Sequence, residues 1–220
     1  MERTCEPELM DGQEQVLAYA AADFAAGDQA MVDRLLERFG PDLGDRLLDL
    51  GCGPGNITFR LARACPGATV VGLDGAARML HIAEERRASD PAGAAIRFEQ
   101  MLLPCPQWPE APFSTVVSNS LLHHLHDPAV LWSSVKQLGA AGAVVQVLDL
   151  QRPADAATAA ALVQERMAGA PEVLRRDFHH SLHAAFTPAE VERQLAAAGL
   201  EQLTVAVVDP LHLEVWGRLA

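Results

Sequence analysis

Three observations predict an α/β fold built on a mostly parallel sheet. A short apolar run, Leu47, Leu48 and Leu50, leads into Gly51, Gly53 and Gly55, the pattern of a buried strand that breaks into a glycine turn before a helix. Strand-like and helix-like stretches then alternate through residues 46–148, the spacing of successive βαβ units. Asp49, Gly51, Asp74, Asn119 and Asp149 all fall at or just past strand carboxyl ends, where open α/β sheets bind their ligands.

The elements follow in order. Residues 1–10 carry Glu2, Glu6 and Glu8 around Pro7 and are expected to be a loosely ordered start. From Asp11, Val16, Leu17, Tyr19, Ala20 and Phe24 recur at helical spacing. A second helix is expected with Asp28 as its N-cap, Met31, Leu35, Leu36 and Phe39 on one face, and a stop at Gly40-Pro41. Strands are expected at 46–50, 68–73, 95–99, 115–118 and 143–148, with helices at 56–64, 76–88 and 127–137 between them. Pro104, Pro106, Pro109 and Pro112 exclude a helix or central strand from 100–112. An alanine-rich helix to Gly169, a histidine-rich segment at 177–185 and a helix begun by the capping box Thr187-Pro188-Ala189-Glu190 come next. Residues 203–208 and 211–217, joined at Asp209-Pro210, read as a closing antiparallel hairpin.

Composition narrows the function. At 220 residues the chain fits one domain. A net charge of −12, with Lys136 the only lysine, opposes nucleic acid as a partner, since phosphate binding needs a basic footprint. The pairs Arg86-Arg87 and Arg175-Arg176 sit among acids and read as solvated helix faces. Cys5, Cys52, Cys65 and Cys105 lack the C-x-x-C spacing of zinc or redox motifs. No apolar stretch suits a leader or a bilayer span, so a cytoplasmic, reduced protein without membrane partners is expected.

The turn is G-x-G-x-G rather than the G-x-G-x-x-G of dinucleotide sites. Asp74 follows about 20 residues on, where a carboxylate can accept from a ribose diol. Together they point to a nucleoside-like ligand more than to a pyrophosphate.

Residues 47–55, 70–74, 117–125 and 149–153 resemble the class I S-adenosylmethionine-dependent methyltransferases, and Val117 through Leu125 resembles the small-molecule, ubiquinone-biosynthesis-like branch. The resemblance implies a Rossmann-like seven-stranded sheet flanked by helices, mostly parallel, with an antiparallel last hairpin. It implies S-adenosyl-L-methionine as cofactor, leaving S-adenosyl-L-homocysteine as product. Gly51, Gly53 and Gly55 would wrap its methionine end and Asp49 would contact it. Asp74 would take the ribose hydroxyls, Gly75 and Met79 would underlie the adenosine, and Asn119 would lie near the sulfonium. The family's acid after its third strand is missing, which leaves Gln100 or Met101 toward the adenine. The usual Pro-Gly-Gly before strand five is Ala140-Ala141-Gly142. Residues 1–45 would form a helical lid, 46–150 the cofactor-binding core, 151–186 a cap over the substrate and 187–220 the last helix and hairpin of a monomer or homodimer. A cofactor-binding regulatory protein and a nucleotide-dependent oxidoreductase are the competing classes.

Catalytic candidates are few. His123, His124 and His126 follow strand four. An imidazole there either serves as general base, with His124 preferred over His123, or is buried and bonded to backbone. Apart from Asp127 no carboxylate or cysteine completes a ligand set with them, so no metal is expected. Tyr19, the only tyrosine, lies on the lid helix and either reaches the site or packs. His179 and His183 are one helical turn apart on an expected exposed face, and His180 is a candidate for the pocket. Trp108, Trp132 and Trp216 read as core or rim, and Asp149 with Arg152 as a strand-end pair.

Overall fold

The computed structural model describes residues 1–105, 108 and 111–220; Pro106 and Pro109, invoked above, lie outside them. Two helices, α1 (Gln13–Ala21) and α2 (Ala25–Phe39), precede the alternation β1 (Arg46–Leu50), α3 (Asn56–Ala64), β2 (Thr69–Asp74), α4 (Ala77–Ser89), β3 (Ile96–Gln100), β4 (Phe113–Asn119), α5 (Ala129–Leu138) and β5 (Gly139–Leu150). Helices α6 (Ala156–Arg166), α7 (Glu172–Ala184) and α8 (Pro188–Ala198) lead to β6 (Thr204–Val207) and β7 (His212–Arg218). The seven strands form one sheet in the order β3-β2-β1-β4-β5-β7-β6. Strand β7 runs antiparallel to both β5 and β6, and the pairs among β1 to β5 are parallel.

The two faces follow from the two-residue period of a strand. Leu47, Val70, Val117 and Val144 join Met31, Val32 and Leu35 of α2 and Ile57 and Leu61 of α3 in one core. Their neighbours Leu48, Val71, Val116 and Val145 point the other way, into Leu131, Trp132 and Val135 of α5 and Val191 and Leu195 of α8. Within that second layer Trp132 donates to Gln194 at 3.0 Å. Trp108 is buried as well, and Trp216 is half-buried at the rim. A buried Glu214 on β7 fastens α2, pairing with Arg34 at 3.1 Å and Arg38 at 2.5 Å while Gln146 donates to it at 2.6 Å. A buried carboxylate so surrounded costs several kcal/mol to disrupt.

Local chemistry sets most boundaries as expected, the Thr187–Glu190 capping box and the Gly199 stop included. Asp127 accepts from the Ala129 amide at 3.0 Å and so starts α5. Several expectations need correction. Helix α2 begins three residues before Asp28, because the Asp23 carboxylate accepts from the Ala25 amide at 3.0 Å; Asp28 instead faces Arg60 at 3.7 Å. Ala140-Ala141-Gly142 belongs to β5, which bends there with Gly142 at φ +76°. The alanine-rich helix stops at Arg166, and the histidines belong to a longer helix, α7.

Arg86 is no solvated charge. It donates to the Pro54 carbonyl at 3.1 Å and the Asn56 side chain at 3.0 Å in the glycine turn, and to the Ala20 carbonyl of α1 at 2.8 Å. Arg152 pairs with Glu190 at 2.7 Å, not with Asp149. The N-terminal ten residues are also not loose. Arg3 donates to the His123 and Leu125 carbonyls at 3.0 and 2.9 Å and lies 4.0 Å over the Phe186 ring. The Thr4 amide donates to the His183 carbonyl at 2.9 Å, and the Glu8 carboxylate accepts from the His126 amide at 2.8 Å. The acids of this segment find amides and imidazoles across the fold, a signal local spacing does not carry.

Candidate active site

A cleft of about 240 Å³ opens at the carboxyl ends of β1, β2 and β4, where the strand order reverses on either side of β1. Such a switch point splays the flanking connections apart and leaves a crevice. Asp49, Gly51, Cys52, Gly53 and Pro54 form its base, Asp74, Gly75, Ala76, Met79 and Met101 one wall, and Asn119, Ser120, Leu121 and His124 the other. Glu8, Leu9, Met10 and Tyr19 complete the lining from the N-terminal region.

The base is built from one strand end and one turn. Gly53 sits at φ +52°, and a Cβ built on it would meet nothing within 4 Å, so its backbone borders open space that a ligand can enter. Gly51 differs, since a Cβ there would fall 2.9 Å from Leu121. Gly55 does not line the cleft. It precedes α3 in the left-handed conformation, with Phe59 and Phe98 within 2.9 Å of any added Cβ. Its glycine is demanded by packing, not by a ligand.

Two carboxylates frame this base. Asp74 accepts from the Gly53 amide at 2.8 Å and the Ala76 amide at 2.7 Å, which fixes the acid to the turn. Burial raises its carboxyl above the ordinary value despite these bonds. Asp49 is buried and accepts from Thr58 Oγ1 at 2.6 Å, while its Oδ1 has no partner. Burial pushes this carboxyl up to about 7, the Thr58 bond opposes the shift, and the charges of Asp74 and Asp28 add to it. An orphaned buried acceptor needs a donor or a cation to compensate it. Thr58 was not foreseen, although a hydroxyl in the first turn of α3 faces back toward the preceding strand.

The remaining candidates divide. Tyr19 lines the cleft, with its ring 4.9 Å from that of Phe24. Burial, then the charges of Asp28, Asp74, Asp49 and Asp149, lift its phenol far above its ordinary value, so it can donate a hydrogen bond but not serve as a base. Met101 lines the cleft, whereas Gln100 is exposed and turns back to the Gly75 carbonyl at 3.3 Å. His123 is absent from the lining. Its Nδ1 meets Asp149 at 2.6 Å and its Nε2 faces Glu6 at 3.5 Å. Burial disfavours its charge, but Asp149 and Glu6 outweigh burial and raise it. Asp149, expected at a strand end where ligands bind, is buried and also accepts from the Leu122 and Leu150 amides. His124 does line the cleft, and burial followed by the neighbouring His123 holds its imidazole well below the ordinary value. His180 is exposed on α7 and outside the lining.

A family model described as a methyltransferase domain matches residues 47–142, the segment that supplies β1, the glycine turn, Asp74, Asn119 and His124. On that match, residues 47–142 are similar to a methyltransferase domain. The residues present suit S-adenosylmethionine, the cofactor that the resemblance implies. The open backbone at Gly53 and the orphaned Asp49 oxygen leave room and compensation for a cationic amino-acid end, and Asp74 has lone pairs to spare for a diol. An uncharacterized methyltransferase of Mycobacterium tuberculosis is 35% identical over 121 residues, 55% of this chain and 58% of that one. A trans-aconitate 2-methyltransferase of the same organism is 36% identical over 89 residues, 40% of this chain and 31% of that one. The chain thus spans less than two thirds of the length of these curated relatives. Among solved structures, a SAM dependent methyltransferase from Aquifex aeolicus superposes with a TM-score of 0.68 at 15% identity, covering 93% of this chain and 97% of that one. The plantazolicin methyltransferase BamL, solved with a desmethylPZN analog and SAH, gives 0.73 at 11% identity, with 94% and 91% covered. Both bear out the seven-stranded fold. Among the described residues no helix is long and apolar enough to cross a membrane.

Asp49 is expected to make ligand affinity in this cleft pH-dependent. Its folded-state value lies above that of an unfolded aspartate, so ionising it costs native stability as pH climbs toward 7. A bound cation reverses that preference and favours the carboxylate. S-adenosylhomocysteine, whose amino group is cationic, is expected to bind up to about tenfold more tightly per pH unit as pH rises to 7, and then to level off. Calorimetric titration across this range checks it. The Asp49→Asn variant should give a flat profile, and a flat wild-type profile would remove Asp49 from the ligand.

Proposed function

We propose that this chain transfers the methyl group of S-adenosylmethionine to a small-molecule acceptor. The observation that carries the reading is the shared cleft. Acids that suit a ribose and a cationic amino-acid end lie at its β1–β2 side, and Asn119, Tyr19 and His124 lie beyond them. When bound, the cofactor supplies a methyl carbon already activated on a positive sulfur, which an acceptor's lone pair displaces in line. What the residues contribute is binding, orientation and exclusion of water. Gly51 and Gly53 give the methionine end its backbone approach, and Asp49 meets its charge. Asp74 takes the ribose hydroxyls, and Gly75, Met79 and Met101 sandwich the adenosine. Asn119 orients the sulfonium end. Tyr19 on α1 and the Leu9–Met10 segment cover the opening as a lid, donating a hydrogen bond through the phenol. The α6–α7 region caps the acceptor side. A small acceptor fits a cleft closed by helices on two sides, and a trans-aconitate methyltransferase is among the relatives by name.

The test is formation of S-adenosylhomocysteine. The protein is incubated with methyl-labelled S-adenosylmethionine and the small-molecule fraction of a cell extract. Label appearing in a low-molecular-weight product together with S-adenosylhomocysteine is the expected result. Tight cofactor binding with no turnover on any fraction would overturn methyl transfer in favour of a regulatory cofactor-binding role.

A further inference from the structure

The carboxylate missing from the histidine cluster in the sequence is supplied by the N-terminal segment. Glu6 Oε1 lies 3.3 Å from His124 Nδ1 and 3.5 Å from His123 Nε2, and the three candidate ligand atoms all lie within 4.8 Å of one another. Tetrahedral sites with metal–ligand bonds of about 2.0–2.1 Å place neighbouring ligand atoms roughly 3.3–3.4 Å apart. The two spacings are therefore those of tetrahedral edges, and they are longer than normal hydrogen bonds.

The hydrogen bonding gives the same answer independently. The Nδ1 of His124 is buried without a hydrogen-bond partner. It faces a Glu6 carboxylate oxygen at 3.3 Å. A cation held between this nitrogen and the carboxylate compensates both.

The surroundings are those of metal ligands. On the far side of His123, Asp149 holds Nδ1 at 2.6 Å and is itself fixed by the Leu122 and Leu150 amides at 2.7 and 2.8 Å. This carboxylate–histidine arrangement orients an imidazole so that its other nitrogen points at a metal. Ser181 donates to Glu6 at 3.0 Å and steadies the third ligand. Two imidazoles with one carboxylate suit zinc-class ions better than calcium or magnesium.

We propose that Glu6, His123 and His124 bind one divalent transition-metal ion of the zinc class, clamping the N-terminal segment to the wall of the cleft. The proposal stands independently of the methyl-transfer reading. To test it, the full chain is stripped with a chelator and titrated first with Co²⁺ and then with Zn²⁺. One equivalent of Co²⁺ giving the intense visible bands of a tetrahedral site, bleached by Zn²⁺, is the expected result. Glu6→Gln should weaken the cobalt affinity more than about tenfold. His179→Ala should leave it unchanged, because the neighbouring α7 rings of His179 and His183, 4.6 Å apart, form a separate imidazole pair. Absence of stoichiometric Co²⁺ binding to the wild-type chain would overturn the proposal whether or not the variants fold, and so would loss of the bands with His179→Ala instead of Glu6→Gln. Affinity for S-adenosylhomocysteine is measured alongside; if that fails while the metal binds, the methyl-transfer reading falls and this one stands.

Discussion

Asp74→Ala is expected to weaken S-adenosylhomocysteine binding by roughly two to four orders of magnitude while the chain stays folded. Each hydrogen bond from a ribose hydroxyl to a carboxylate contributes about 1.5–3 kcal/mol, and two such bonds convert to that range at 1.4 kcal/mol per decade. The carboxylate also braces the turn, since its two oxygens accept from the Gly53 and Ala76 amides. Alanine therefore removes the ribose partner and releases Gly53 together. Asp74→Asn keeps one acceptor and should fall between the two. Stability should change less than affinity, because losing a carboxylate that is disfavoured by burial offsets part of the two unpaired amides. Calorimetry and thermal melting separate the effects, and unchanged affinity in Asp74→Ala would end the ribose assignment.

Gly53→Val is expected to abolish measurable cofactor binding. No atom lies within 4 Å of a Cβ at this position, so the protein itself has room for a branched side chain, and the methyls would take up space in the cleft. A β-branched residue at φ +52° costs about 1–2 kcal/mol, a fall in melting temperature of a few degrees for a domain of this size. The neighbouring glycines should behave in the opposite way. Alanine at Gly55 would press a Cβ against Phe59 and Phe98 at 2.8 and 2.9 Å, losing stability before affinity. Full binding by a folded Gly53→Val protein would mean that the turn does not face the ligand.

That contrast also marks how far the sequence could be read. The strand, turn and helix around Gly51 were legible because a buried strand, a tight turn and a helix start each leave a local signature within a few residues. Asp74 was legible for the same reason, one strand further on. The roles of the three glycines were not separable, because Phe59, Phe98 and Leu121 become their neighbours only through packing. Glu6 and Glu8 gave no signal at all. Acids around a proline look like any solvated terminus, and their partners on α7 and in the loop after β4 are brought to them by tertiary structure alone. Asp149 was placed correctly at the end of β5, but the side chain turns inward to His123, a choice of direction that a strand pattern does not encode.

The first two helices are attached to the sheet in different ways. Helix α2 is riveted through the buried Glu214 and its two arginines. Helix α1, with Tyr19, packs Val16 against Ala76 and Met79 in a small apolar cluster, and at the rim it is tied by Arg86, which also grips the glycine turn at Pro54 and Asn56, and by a hydrogen bond from Gln15 to Asp177 at 2.8 Å. Contacts of this kind open far more readily than a core does. If α1 covers a bound ligand, ligand exchange is expected to depend on this small cluster and its polar ties, with the sheet and α2 undisturbed. Because Arg86 touches both the turn and α1, a ligand seated against the turn is expected to change how firmly α1 is held.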